Sequence, residues 1–111
     1  MNGVLLIFLP DEPEPVVHTL EKRPSLGLLQ DAVGGYIETV PWFTQIAGRR
    51  CVAYCNEYGK MEQMPLNRQA TQLWHNALPP PGLMGPGGEV VDYLVGPIAV
   101  VMGDDELLKG M

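Results

Sequence analysis

Six consecutive apolar residues, Val4 to Leu9, set the strongest constraint on what this chain can fold into. A half-exposed strand alternates apolar and polar side chains, whereas an unbroken run carrying β-branched Val4 and Ile7 suits a central strand covered on both faces. The run ends at "PDEPEP", whose three prolines and three carboxylates predict an exposed, extended loop with an acidic tip at Asp11, Glu12 and Glu14. No positive charge precedes the run and no small-residue cleavage site follows it, so it is expected to be a strand rather than a signal peptide. Nowhere does an apolar run approach the ~20 residues that span a bilayer. A cytoplasmic protein without a membrane partner is expected, folded as a single domain over residues 1–111.

The rest of the chain is punctuated into short elements. Ser25 stands where a helix N-cap is needed, Leu28, Leu29, Ala32 and Val33 recur at helical spacing, and Gly34-Gly35 stops the helix. "YIETV" reads as a strand closed by Pro41, and "RCVAYCN" as its hairpin partner across an apolar loop holding Trp42, Phe43 and Ile46. "NEYG" is a turn, with "KMEQM" as a short returning strand that Pro65 ends. Asn67 then caps a second helix with Ala70, Leu73, Trp74 and Ala77 on one face, a cap worth about 1 kcal/mol. Arg68 faces the positive end of that helix's dipole, so helix stability does not account for it. "PPPGLMGPGG" cannot continue the helix and predicts a mobile loop, with Leu83 and Met84 able to dock. A last strand is expected from Ile98 to Met102, with Pro97 at its start or on a sheet edge. The expected class is α+β, a mostly antiparallel sheet with two helices on one face. The order β-α-β-β-α-β makes a ferredoxin-like topology the natural candidate, with the first strand central and the last an edge.

Taken together, "GGYIETV", "NEYGKMEQMPLNRQAT" followed by Leu73-Trp74, and "LVGPIAV" resemble a family of small domains of unknown function found in phages, plasmids and bacterial mobile elements. The resemblance covers residues 24 to 103. It implies an origin in such an element and carries no activity, cofactor or catalytic residue across.

Thirteen acidic against seven basic residues, a net charge of −6, oppose nucleic-acid binding, which requires clustered Lys and Arg. Cys51 and Cys55 in an extended "CVAYC" would lie roughly 13 Å apart at ~3.3 Å per residue, too far for a disulfide, and are expected as buried reduced thiols. No second Cys or His pair stands at metal-ligand spacing, and neither His18 nor His75 belongs to a catalytic motif. No catalytic residue, metal or cofactor is therefore assigned, and an enzyme of unrecognised type ranks third among the readings. The first is a protein that binds a host or defence protein through Asp11, Glu12, Glu14, Trp42 and Phe43. The second binds a small anionic ligand such as a nucleotide, with Arg49, Arg50 and Arg68 on its phosphates and Tyr58 or Trp74 as stacking surface. Association with a second copy of the chain is left open.

Overall fold

The computed structural model describes residues 2–78 and 92–111, so the expected Pro/Gly loop, with Leu83 and Met84, lies outside the described residues. The chain runs β1 (Gly3–Phe8), β2 (Val16–Leu20), α1 (Leu26–Val33), β3 (Ile37–Thr39), β4 (Gln45–Ile46), β5 (Arg49–Asn56), α2 (Arg68–Ala77), β6 (Ile98–Gly103) and α3 (Asp105–Leu108). The class is α+β, as expected, and every strand pairing is antiparallel.

The sheet order is β2-β1-β6-β5-β3, with β4 joined to β5 off this path. This is not the ferredoxin-like arrangement. β1 turns back at once into β2 before any helix, and the last strand sits in the middle of the sheet, between β1 and β5. Pro97 does not force β6 to an edge, because it precedes the first paired residue, Ile98, which stands opposite Phe8. Its missing N–H is therefore never asked for by the ladder. "VVHTL" forms a strand despite lying outside the expected elements, and "KMEQM" forms turns instead of a strand.

The helices cover both faces. Alternate residues of a strand point to opposite sides, and the two cores divide accordingly. Leu5, Tyr54, Ala99 and Val101 pack with Leu29 and Val33 of α1 and with Leu107 and Leu108 of α3. Phe8, Ala53, Ile98 and Val100 pack with Ala70 and Trp74 of α2 and with Val40 and Phe43. The expectation of two helices on one face is corrected by the same apolar run that opens the sequence. Leu5 and Phe8 lie on opposite faces, and each needs a cover.

Both helix caps form where the residues placed them. The Ser25 hydroxyl accepts from the Leu28 N–H (3.1 Å), and Gly34 closes α1 in the left-handed conformation at φ 79°. Asn67 Oδ1 accepts from the Ala70 N–H (3.1 Å). β4 and β5 are joined by Ala47-Gly48 with φ of 51° and 79°, the positive values that a tight two-residue hairpin requires.

Candidate functional site

Two neighbouring features stand out: a cleft at one end of the sheet and an exposed tryptophan beside it. The cleft, about 220 Å³, lies between β3, the end of β5, the turn that follows, and the segment Asp92 to Val95. α2 clips that segment in place. Leu94 N–H donates to Thr71 Oγ1 (2.9 Å), the Leu94 carbonyl accepts from Asn67 N–H (2.9 Å), and His75 Nε2 lies 2.8 Å from the Asp92 carbonyl oxygen.

Lys60 reaches across from the turn, pairing with the Asp92 carboxylate and lying 4.7 Å from the centre of the Tyr93 ring. Partial burial opposes ionisation of Asp92, but the Lys60 hydrogen bond and the Tyr93 N–H outweigh it and hold the carboxyl below its ordinary value. With Lys60 occupied in this way, Glu38 and Glu57 leave the lining negative. Cys55 also lines the cleft, yet its thiol is pushed up to about 11, by burial first and then by the charge of Glu38. Cys51, on the same side of β5, is pushed up to about 11 by burial alone. Both thiols are free, as the extended spacing predicted, and at neutral pH both are protonated and therefore poor nucleophiles. Among the described residues no three His, Cys, Asp or Glu side chains gather to hold a metal ion, and no helix is long and apolar enough to cross a membrane.

Beside the cleft the chain passes through Pro41, Trp42 and Phe43. The Trp74 indole N–H donates to the Pro41 carbonyl (2.8 Å). Phe43 is 1 % exposed and anchors the other side. Between these two fixed points Trp42 is 60 % exposed, on a backbone of φ 64° that a bulky residue rarely adopts.

The residues singled out in the sequence scatter over the molecule. Phe43 is core and cannot be a contact, because its ring fills the space between sheet and α2; Trp42 alone of that pair faces outward. Trp74 is 1 % exposed, so its ring offers no face on which a base could stack, although it helps to close the floor of the cleft. Arg49 and Arg50 begin β5, and Tyr58 follows its far end, beyond a strand that runs roughly 23 Å from Arg49 to Asn56. Arg50 pairs with Asp105 (3.6 Å), both groups exposed. Arg68 opens α2 and is exposed. Asp11, Glu12 and Glu14 are exposed on the loop between β1 and β2. The cleft residues Glu38, Lys60, Asp92 and Tyr93 escaped sequence reading because four separate segments supply the lining; only the apolar loop around Trp42 carried a signal.

No curated protein and no solved structure matches the chain. The family model described as a domain of unknown function, DUF3846, matches residues 1–109, and the chain belongs to that family of domains without an assigned activity.

Proposed function

We propose that this chain acts by binding a protein partner, without turnover, and that Trp42 is the centre of the contact. The observation that supports this reading is the way Trp42 is displayed. Exposing a large aromatic costs solvation, a non-glycine residue at positive φ costs roughly 1 kcal/mol or more, and neither feature aids folding. Its main chain is held on both sides, by Trp74 at Pro41 and by the burial of Phe43, so little backbone entropy is lost when the indole meets a partner.

The adjoining cleft favours a partner that brings a basic side chain, since Glu38 and Glu57 are not neutralised by Lys60 as Asp92 is. A host or defence protein, the partner class suggested by the resemblance to mobile-element domains, fits this reading, with the host cytoplasm as its place of action. The small anionic ligand has less to rest on. Its arginines lie on separate elements, and the cleft presents carboxylates to it.

Trp42→Ala is expected to weaken the complex by about 2 kcal/mol or more, as central aromatic contacts do, while leaving the melting temperature unchanged. Pull-down from host lysate with wild type and variant side by side, followed by titration of the retained protein, checks this. A partner retained equally by both would refute the assignment, as would a nucleotide that raises the melting temperature in a thermal-shift panel while no protein is retained.

A further inference from the structure

The cleft beside Trp42 carries an unbalanced charge. Of its four ionised side chains, Lys60 and Asp92 neutralise each other, whereas Glu38 and Glu57 make no ion pair among the described residues. Glu38 stands opposite Cys55 in the β3–β5 ladder, and Glu57 follows Cys55 by two residues, with its N–H still donating to the Tyr36 carbonyl (2.8 Å). The charge of Glu38 reaches the interior of the cleft, where it adds to burial in raising the Cys55 thiol. Two carboxylates brought to one cleft without a cation repel each other, and folding gains nothing from the arrangement. Deeper in, the lining is apolar, with Val40, Trp74 and Leu94 buried.

We propose that this cleft receives an arginine side chain of the protein partner, its stem against Val40 and Leu94 and its guanidinium on Glu38 and Glu57. The inference rests on the reading of Trp42 as a partner contact and names what the partner sets beside it. Pro41 lines the cleft and Trp42 is the next residue, so one segment of the partner reaches both. At about 220 Å³ the cleft is smaller than the ~300–1,000 Å³ of sites that enclose whole small molecules, and it suits a single long side chain.

Charge selects a cation, and the chain already shows how this neighbourhood holds one. Lys60 pairs with the Asp92 carboxylate while lying 4.7 Å from the centre of the Tyr93 ring. Two further features select arginine over lysine. A guanidinium presents several N–H donors in a rigid fork that serves more than one carboxylate, whereas an ammonium is a compact point charge. It is also more weakly hydrated, so it gives up less on entering a cleft with an apolar floor, and its plane stacks on aromatic faces such as the exposed indole of Trp42.

Amide NMR titration of the intact chain with blocked tripeptides tests the assignment: Ac-Gly-Arg-Gly-NH2, its lysine counterpart, and its citrulline counterpart, which keeps the shape of arginine without the charge. The arginine peptide is expected to move the amides of Thr39, Cys55, Glu57 and Leu94 and to saturate at a dissociation constant of roughly 1–10 mM, as suits one side chain. The lysine peptide should bind at least about fivefold more weakly, and the citrulline peptide should move nothing. Glu38→Gln and Glu57→Gln, isosteric changes at exposed positions, should each raise the constant about tenfold while amides far from the cleft keep their shifts, which verifies the fold. An arginine peptide that moves no cleft amide up to roughly 50 mM overturns the proposal. Lysine or citrulline binding as tightly, or Gln variants that bind as the wild type does, overturn it equally. None of these failures touches the reading of Trp42, which the pull-down with Trp42→Ala judges separately.

Discussion

Replacing Asn67 by Ala removes the acceptor that caps α2 and the donors that hold two carbonyls, those of Phe8 (2.8 Å) and Gly96 (2.9 Å), at a site 1 % exposed. The cap alone is worth about 1 kcal/mol, but buried carbonyls left without a donor add their desolvation cost, so a loss of about 3 kcal/mol is expected. Asn67→Asp keeps the cap and turns an oxygen toward those carbonyls, and should cost nearly as much. Arg68→Ala, exposed at the next position, should stay within about 0.5 kcal/mol. Urea denaturation of the three variants checks the order. The cap itself was legible because a side-chain oxygen just before an amphipathic run has a local job. The two carbonyls were not, because Phe8 and Gly96 are 59 and 29 residues away and only the tertiary fold brings them to the amide.

β5 carries its chemistry inward. Cys51 and Cys55 share the face that packs on α2, with folded-state values of about 11 against an ordinary 9.0. The folded chain therefore keeps thiol protons that the unfolded chain releases, so the stabilisation is complete below pH 9 and is lost as the pH rises toward 11. Tyr54, raised from 10.0 by burial, acts in the same direction. The denaturation midpoint should fall as the pH rises above 9, and fall less steeply in the Cys51→Ala/Cys55→Ala variant. A disulfide reagent should find two thiols per chain after unfolding and label the folded protein slowly. At this scale β1, β3, β5, β6 and both long helices could be read from pattern and punctuation. β2 could not. Four of its five residues are exposed, so no alternation marks it, and its pairing with β1 is settled by the hairpin rather than by its own composition.

For the molecule as a whole, the antiparallel class followed from the short elements, whereas strand order did not, since any of several orders satisfies the same local patterns. The Val4–Leu9 run is central, as its composition predicts, but the strand that completes the centre lies far along the chain: Gly3 stands opposite Gly103, so closely that a side chain at Gly3 would meet the Met102 carbonyl oxygen at 2.3 Å. Truncation after residue 97 should therefore leave a chain without a cooperative unfolding transition, measurable by circular dichroism on heating. A ribosome making this protein releases β1, β2, β3 and β5 long before the strand that joins them, so the two halves of the sheet wait with open edges until β6 is made. Synthesis cannot yield a working fragment. A nascent chain halted anywhere before Ile98 offers those unpaired edges to chaperones and proteases, and only the chain that reaches β6 closes them.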